Sequence, residues 1–573
     1  MNVTVQQPEQ PDILISTADH ITIMEALGLA GLHLDAPCGG RGRCGKCAVK
    51  VAGTFSPPEE REVNLLQGRE GQRLACLARG VGQVTISLTP KSLFKSVKGL
   101  GWSAPYNFDP PFKIIKVPER DRQDQRSLLN FLSLKAESNS VLAKIGELEA
   151  DRNCGYVLTY RDQILTAFPE DQPPPENLAV AVDLGTTGLA VAVLDLDRRE
   201  ILAMETALNP QTTIGADVIS RITSAAQSEE ELLKLQDLAL SGIKDLIVTA
   251  AGVEKAQTIA GAIICGNTTM FHLLAGVNPK SLAQAPYRPI FTKPLDLSHL
   301  AGRLGLAPYA KVLTSPSISS YVGGDITSGL LAINLRERPG TVIFIDIGTN
   351  GEIVLSRNGQ MVGTSCAAGP ALEGMNISCG IRAITGAVDS FQLNPDLSPS
   401  FTTIGQAPAV GLCGSGIIDV CAELIKGKLI AKSGKLEANN PKVTDGRYHL
   451  TDQVYFSQKD VRQVQLAKGA IAAAMKMLLE KLNLTVADLD EVIIAGSFGF
   501  HLRPESLLGL KLIPEGYRGP ITFVGNSSLA GAARLLLDGS ALKEIEELTG
   551  EVEVIELGFD PKFQDTFLKE LNF

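Results

Sequence analysis

The sequence predicts an α/β protein of several domains, from its length, a glycine-rich cysteine loop near its start and a hairpin motif that occurs twice. At 573 residues the chain exceeds what a single hydrophobic core organises, so about two to four domains are expected. Apolar residues make up 44% of the chain and charged residues 20%, as in ordinary globular proteins.

The bulk composition excludes several classes of function. The net charge of -10 and the pI near 5.4 argue against nucleic acid as a partner, because there is no excess of Lys and Arg to neutralise phosphates. The first residues contain no basic and apolar leader, and no apolar run is long enough to span a membrane. We therefore expect a cytoplasmic protein, in which cysteines serve more often as metal ligands than as disulfides.

Four cysteines near the start form the first candidate site. Cys38, Cys44, Cys47 and Cys76 have the spacing C-x5-C-x2-C-x28-C, and glycines crowd the loop between the first three. A loop around a metal cluster needs glycines so that backbone N–H groups can turn toward the sulfurs. A structural zinc site is the alternative, but zinc sites usually pair two short cysteine knuckles or add histidines, and Cys76 has no such neighbour.

The second feature is a strand, a tight Gly/Thr turn and a second strand. Apolar residues 178–182 lead into 183–188 (DLGTTG), and apolar residues 189–194 follow. The same pattern returns when residues 342–345 lead into 346–352 (DIGTNGE). A hairpin that recurs in this way indicates a duplicated half-domain.

Such a hairpin has a specific chemical use. Its turn presents backbone N–H groups and hydroxyls to an anion, and an Asp at the end of the strand can hold hydrated Mg²⁺. Two facing turns could clamp a triphosphate, whereas the alternative is a pair of ordinary hairpins. The predicted phosphate-binding residues are Gly185, Thr186, Thr187, Gly348, Thr349 and Asn350, and the predicted carboxylates are Asp183 and Asp346.

Three later segments add candidates. Residues 323–325 (GGD) open a helix just before the second hairpin, so Asp325 either orients an attacking water or simply caps the helix. A buried strand then runs into a glycine-rich turn that contains Gly496, Ser497 and Gly499. Residues 524–534 form another strand-to-helix turn, with small residues where helices would cross closely.

Composition also suggests domain boundaries. Turn-forming residues mark a linker over 92–112, and a small mixed segment over 113–176 ends in a proline-rich hinge. We therefore predict domains at 1–91, 113–176 and 177–573.

The order of these motifs resembles the actin/sugar-kinase/heat-shock ATPase (ASKHA) fold. The cysteine set resembles plant-type [2Fe–2S] ferredoxins, and the extra residue in the first gap matches the related adrenodoxin-like form. Together they resemble the reductive activators of corrinoid proteins. The resemblance implies an N-terminal β-grasp ferredoxin-like domain, a small α+β middle domain and a C-terminal duplicated ASKHA domain.

The resemblance also implies an activity and its cofactors. The four cysteines would hold a [2Fe–2S] cluster, and the two turns would bind ATP with Mg²⁺ on Asp183 and Asp346. Asp325 would orient water, and Gly496, Ser497 and Gly499 would lie against the adenosine. ATP hydrolysis would drive an electron from the cluster to a Co(II) corrinoid on a partner protein, such as one of a methyltransferase or demethylase system.

That activity implies an anaerobic setting and an upstream low-potential electron donor, and the sequence also allows a homodimer. Two other functions fit the same motifs: a small-molecule kinase of this fold with a regulatory iron–sulfur domain, and a redox-sensing ATPase that remodels a partner.

Overall fold

The computed structural model describes residues 1–7, 10–17, 19–29, 47–66, 71–87, 108–120, 125–150, 153–215, 217–381, 383–437, 440–496 and 502–573. Four predicted site residues, Cys38, Cys44, Ser497 and Gly499, lie outside these ranges. The chain forms two compact units, 1–103 and 104–573, and their division falls inside the predicted linker. Within the described ranges, no helix combines the length and apolar character that crossing a membrane requires.

The first unit is a five-stranded sheet with strand order β2-β1-β5-β3-β4. The central strands β1 and β5 are parallel, and the other pairs are antiparallel. Val3 and Val5 on β1 are buried beside Val84 and Ile86 on β5, as expected for alternating strands with one covered face. This is the predicted β-grasp arrangement. Its elements are β1 (Asn2–Gln7), β2 (Gln10–Ser16), α1 (Ile23–Leu29), β3 (Ala48–Phe55), α2 (Glu60–Leu65), β4 (Gln72–Leu74) and β5 (Gly80–Ser87).

The second unit begins with a four-stranded sheet of order β6-β8-β9-β7 and its own apolar core. Phe112 opens β6 and is buried, and its ring would lie 2.4 Å from a Cβ added to Gly261. Gly261 therefore provides the space in which this sheet packs onto the next one. The elements are β6 (Phe112–Lys116), α3 (Leu128–Leu132), β7 (Lys135–Ala136), α4 (Asn139–Ala150), β8 (Cys154–Tyr160) and β9 (Gln163–Pro169).

Residues 178–338, here called the first repeat, contain a sheet of order β12-β11-β10-β13-β14. The apolar runs on both sides of the first turn become β10 and β11, which are buried almost throughout. The elements are β10 (Leu178–Leu184), β11 (Gly188–Asp195), β12 (Glu200–Leu208), α5 (Val218–Ala225), α6 (Glu229–Ala251), α7 (Val253–Ala256), β13 (Gly261–Gly266), α8 (Thr268–Leu274), β14 (Lys311–Thr314) and α9 (Gly324–Ala332).

Residues 339–573, here called the second repeat, contain a six-stranded sheet of order β25-β24-β15-β16-β17-β26 and two three-stranded sheets, β19-β18-β20 and β21-β22-β23. The elements are β15 (Thr341–Ile347), β16 (Gly351–Arg357), β17 (Gln360–Cys366), β18 (Ala387–Leu393), β19 (Pro399–Thr403), β20 (Gly411–Leu412), α10 (Gly414–Lys426), β21 (Val443–Thr444), β22 (Arg447–His449), β23 (Tyr455–Ser457), α11 (Gln458–Lys481), β24 (Glu491–Ala495), α12 (Pro504–Gly509), β25 (Ile521–Gly525), α13 (Ser527–Leu537), α14 (Ala541–Glu551), β26 (Val552–Val554) and α15 (Pro561–Glu570).

The two repeats share one topology. In each, a central strand pairs antiparallel with the strand after its turn and parallel with a strand from much later in the chain. Strands β12, β11, β10, β13 and β14 therefore correspond to β17, β16, β15, β24 and β25, and β26 is an addition at one edge. The duplication that the repeated hairpin predicts is confirmed.

Helices α9 and α13 cross between the repeats at very short range. A Cβ added to Gly531 on α13 would lie 2.0 Å from the carbonyl oxygen of Ser328 on α9. A Cβ on Gly329 would lie 2.8 Å from the hydroxyl of Ser527. The small residues of 524–534 therefore serve the predicted close crossing of two helices.

Candidate functional site

Three predicted carboxylates lie around one cleft between the repeats. Asp183 and Asp346 are the penultimate residues of strands β10 and β15, and Asp325 is in the first turn of helix α9. All three are partly exposed, so their side chains line the cleft without being sealed from solvent. The residue that caps α9 is Gly323, so Asp325 is not the N-cap of this helix.

The electrostatics of this cleft favour a cation. Burial raises the pKa of Asp183 to about 6 and that of Asp325 to about 7, where the charge of Asp183 adds to the effect. Burial, together with the charges of Asp325, Asp183 and Glu373, raises the pKa of Asp346 to about 8. Carboxylates that disfavour one another's ionisation in this way are relieved by a divalent cation.

No three His, Cys, Asp or Glu side chains in the described ranges converge closely enough to hold a metal ion by themselves. Mg²⁺ does not require such a set, because it usually keeps several waters and binds one or two carboxylates together with phosphate oxygens. The carboxylates of the cleft therefore fit a hydrated magnesium ion.

The carbonyl oxygens of the first turn accept hydrogen bonds from residues of the same repeat that lie behind the turn. Asn209 donates its side-chain amide to Gly185 O at 2.8 Å and its backbone N–H to Thr187 O at 2.9 Å. Arg221 donates to Thr186 O at 2.6 Å. Because these carbonyl oxygens are engaged elsewhere, they do not compete for the front of the turn, where an anion would need N–H groups and hydroxyls.

Arg221 also places a buried positive charge behind this turn. Its side chain is fully buried, and its guanidinium bonds Gly215 O and Gln211 as well as the turn. Burial lowers the pKa of Arg221 to about 10. Thr187 Oγ1 is buried with no hydrogen-bond partner in the described part of the chain.

The second turn is built differently. Gly348 N donates to Asn350 O at 2.9 Å, and Thr349 Oγ1 donates to Glu373 Oε1 at 3.0 Å. Gly496 lies beside this turn with φ of +114°, and a Cβ there would be 2.8 Å from Ile347 O. Glycine is thus required at 496 both for its backbone angle and for its close approach to the strand end.

Several residues of the site were not among those predicted. Asn526 donates to Asp183 Oδ2 at 2.8 Å while its Oδ1 caps α13. Glu352 lies directly opposite Asp346 across strands β15 and β16 and accepts a hydrogen bond from Ser365. In the described ranges these residues are Asn209, Arg221, Asn267, Glu352, Glu373 and Asn526. Glu352 was within reach of the sequence because it directly follows the second turn, but the others contact the turns only through the fold.

Two of the four predicted cysteines are described, and they lie together. The sulfurs of Cys47 and Cys76 are 3.3 Å apart, and both side chains are buried. A disulfide would bring them to about 2.05 Å. Two thiolates on one tetrahedral metal ion at about 2.3 Å would lie about 3.8 Å apart, so the sulfurs need to separate by only about 0.5 Å to share one metal.

A buried ion pair supports this cysteine region. Glu62 on α2 accepts from Arg73 at 2.8 Å and from Leu74 N at 2.7 Å, and its side chain is only 1% exposed. These bonds fix α2 against β4, two residues before Cys76.

Three family models match the chain. "2Fe-2S iron-sulfur cluster binding domain" matches residues 8–80, "RACo middle region" matches 178–338, and "C-terminal domain of RACo the ASKHA domain" matches 340–573. The boundary between the last two falls between helix α9 and strand β15.

The chain belongs to the RACo family.

The chain is similar to proteins that act on corrinoid proteins, by the names these proteins carry. The Eubacterium limosum protein "Corrinoid activation enzyme RamQ" is 28% identical over 98% of this chain and 97% of its own length. The Methanosarcina barkeri "[Co(II) methylated amine-specific corrinoid protein] reductase" is 25% identical over 69% of this chain and 76% of its own length. A solved structure, "Reductive activator for corrinoid,iron-sulfur protein", matches 100% of this chain and 98% of its own, with TM-score 0.77 and 28% identity. The family models thus give the chain a cluster-binding domain, a RACo middle region and an ASKHA domain, in that order.

Proposed function

We propose that this RACo-family chain is an ATP-dependent reductase that reactivates a corrinoid protein by reducing its cobalt from Co(II) to Co(I). The observation that carries the proposal is the similarity of the chain, over its full length, to a corrinoid activation enzyme. The same chain joins a 2Fe-2S domain to two repeats whose turns have the pattern of phosphate-binding turns. A cluster-binding domain and an ASKHA domain on one chain suit a reduction that needs both an electron and an energy source.

The first unit is the electron-carrying part of this proposal. Cys38, Cys44, Cys47 and Cys76 are the proposed ligands of a [2Fe–2S] cluster, which when bound carries one electron at about -400 mV in plant-type ferredoxins. The spacing of the Cys47 and Cys76 sulfurs supports the pair as ligands of one metal. The Glu62–Arg73 pair orients the backbone that leads to Cys76.

The cleft of the second unit is the proposed ATP site. Asp183 and Asp346 would hold Mg²⁺, and the backbones of 185–187 and 348–350 would surround the phosphates. Asp325 orients the attacking water, and Gly496, Ser497 and Gly499 line the adenosine. The engaged carbonyl oxygens and the buried Arg221 behind the first turn support this assignment, because both make that turn favourable for an anion.

Hydrolysis is needed because the electron transfer is uphill. The family resemblance implies that the Co(II)/Co(I) step in such partners lies below the potential of a plant-type cluster, so a coupled favourable reaction would supply the difference. Closure of the two repeats about the α9–α13 crossing could bias how the partner holds its corrinoid. The partner is a corrinoid protein of a methyltransferase or demethylase system, and an upstream low-potential donor reduces the chain.

The remaining parts of this proposal concern organisation. We place the domains at 1–91, 113–176 and 177–573 with a linker at 92–112. The protein acts in the cytoplasm under anaerobic conditions, and homodimer formation is compatible with the same scheme.

Replacing Asp183 tests the nucleotide part of the proposal. Asp183→Ala should abolish ATP hydrolysis and ATP-dependent Co(I) formation, because the cleft loses a carboxylate that holds the cation. The visible spectrum of the cluster should be unchanged, since Asp183 belongs to the other unit. Wild-type rates of Co(I) formation in Asp183→Ala would contradict the assignment, and loss of the cluster in this variant would contradict the separation of the two sites.

The two alternative functions give other results in the same assay. A kinase would release ADP in proportion to an added acceptor and without any electron acceptor. A redox-sensing ATPase would change its hydrolysis rate with the cluster's oxidation state but would form no Co(I).

A further inference from the structure

The segment that follows β17 ends in a short helical turn, Pro370–Glu373, which brings a carboxylate to the second turn of the cleft. Glu373 Oε1 accepts the hydroxyl proton of Thr349 at 3.0 Å. The same oxygen lies 3.6 Å from where a Cβ on Gly348 would be. Glu373 therefore contacts the tip of the turn itself.

This contact determines what Thr349 can offer a ligand. A threonine hydroxyl has one proton to donate and two lone pairs that accept. Because the proton of Thr349 is directed to Glu373, its oxygen faces other groups only as an acceptor. A phosphate oxygen is also an acceptor, so it gains nothing from this hydroxyl, whereas the O–H of a water molecule does.

The hydroxyl of the equivalent threonine in the first turn has the opposite hydrogen-bonding role. Thr186 Oγ1 accepts from Asn267 Nδ2 at 2.9 Å, which leaves its own proton available. The orientation of this amide is set independently, since Asn267 Oδ1 accepts from Met270 N at 3.0 Å. Thr186 can therefore donate to a phosphate oxygen, and Thr349 cannot while it is bound to Glu373.

We propose that Glu373 is a positioning residue for ATP hydrolysis, which holds the Thr349 hydroxyl so that its oxygen accepts a hydrogen bond from the attacking water. This inference rests on the proposed ATP site, and it changes the role of the Thr349 side chain from a phosphate ligand to a water ligand. The backbone of the second turn keeps its place around the phosphates.

The reaction is the ordinary hydrolysis of the terminal phosphate. The water oxygen forms a bond to the γ-phosphorus, and the bond from that phosphorus to the bridging oxygen breaks with its electron pair remaining on ADP. The water contributes its hydroxyl to inorganic phosphate and releases its other proton to solvent. Thr349 and Glu373 contribute only the orientation of the water along this line of attack.

Steady-state ATP hydrolysis by the full-length chain tests the proposal, with ADP affinity measured by calorimetry for each variant. Thr349→Val and Glu373→Gln should each lower kcat by about 10- to 100-fold, with the KM for ATP and the ADP affinity within about twofold of wild type. The kcat of the double variant should lie within about threefold of the kcat of the slower single variant. The two losses should not multiply, because the two residues act as one unit. Thr349→Ser, which keeps the hydroxyl, should restore most of the kcat lost in Thr349→Val.

A matched variant in the other turn gives the contrast. Thr186→Val removes a proposed phosphate donor and should raise the KM for ATP more than it lowers kcat.

Three results would overturn the proposal. The first is a raised KM with unchanged kcat in Thr349→Val, and the second is a wild-type kcat in Glu373→Gln. The third is recovery of the kcat of either variant at high Mg²⁺, which would mean that the two residues bind the water shell of the cation. Normal hydrolysis by the wild-type chain without Co(I) formation, together with a lowered kcat in both variants, would contradict the proposed function but support this inference. Absence of ATP hydrolysis in the wild-type chain would overturn both.

Discussion

Lys468 on helix α11 is fully buried, and its environment makes its charge unfavourable. Its Nζ donates to Asn572 O at 2.5 Å and lies 5.3 Å from the centre of the Phe573 ring. Burial lowers the pKa of Lys468 to about 8, and the charge of Glu570 opposes this shift. Lys511 and Lys476 lower the pKa further, and the Cys421 thiol acts in the opposite direction.

The lowered pKa of Lys468 predicts a pH dependence of stability. Between about pH 8 and pH 10.5 the folded chain binds fewer protons at this site than the unfolded chain does. The contribution of Lys468 to the free energy of unfolding should therefore increase as the pH rises through this window. Lys468→Met should remove this increase. Urea denaturation followed by circular dichroism at several pH values measures the slope.

Lys459→Met is the matched control, because Lys459 is exposed on the same helix. It should leave the slope between pH 8 and pH 10.5 as in wild type. Equal slopes in Lys468→Met and wild type would show that the buried amine does not titrate as described.

Single residues also mark the limit of what the sequence could predict. The turns were recognisable because each is a short local pattern of Asp, Gly and Thr. Arg221, in contrast, reaches Thr186 from 35 positions away, and Glu373 reaches Thr349 from 24 positions away. Nothing in the pattern of α5 distinguishes Arg221 from a surface arginine, and its role follows only from the packing of the helix.

At the scale of elements, the crossing of α9 and α13 ties the site together. Asp325 is in the first turn of α9, and Asn526, which holds Asp183, caps α13. Ser528 also donates to Asp325 O at 3.1 Å. A change in the distance between these helices therefore moves two of the three carboxylates of the cleft.

Gly531→Ala tests this crossing. The new Cβ would meet the backbone of Ser328 at 2.0 Å, so the helices must separate. We expect a loss of about 1–3 kcal/mol in the free energy of unfolding and a reduced rate of ATP hydrolysis. Chemical denaturation and steady-state kinetics on the same preparation measure the two effects.

Gly146→Ala is the control for this variant. Gly146 is inside helix α4, and no atom lies within 4 Å of an added Cβ. This change should raise the free energy of unfolding by about 0.5–1 kcal/mol and leave hydrolysis unchanged. If Gly531→Ala behaved like Gly146→Ala, the close crossing would not matter to the site.

The elements themselves were largely predictable because their patterns are local. The apolar runs on both sides of each turn predicted strands, and they form β10, β11, β15 and β16. Sheet order and the added edge strand β26 were not predictable, since strand neighbours come from distant parts of the chain.

At the scale of the whole molecule, the duplicated repeats are alike in topology and different in chemistry. Asp183 and Asp346 occupy equivalent positions, but the residue opposite Asp183 is Ala190, whereas the residue opposite Asp346 is Glu352. The carboxylates Glu352 and Glu373 both belong to the second repeat. The duplication therefore supplies the frame of the cleft, and later divergence supplies its asymmetry.

The two units should be separable by mutation. Cys76→Ser should remove a proposed cluster ligand, so that the visible spectrum of the cluster and Co(I) formation are lost. ATP hydrolysis should persist, because its site lies in the second unit. Absorption spectra of the anaerobically reconstituted variant and its hydrolysis rate test this, and an intact cluster spectrum in Cys76→Ser would contradict the ligand assignment.

The most direct test of the central proposal is the formation of Co(I) in a purified corrinoid protein that starts in the Co(II) state. The full-length chain, its cluster reduced, is mixed with this protein and Mg²⁺, and the Co(I) absorption band is followed with ATP, with a non-hydrolysable analogue and without nucleotide. We predict that Co(I) accumulates only with ATP. Equal accumulation of Co(I) without nucleotide would contradict the proposed coupling of ATP hydrolysis to electron transfer.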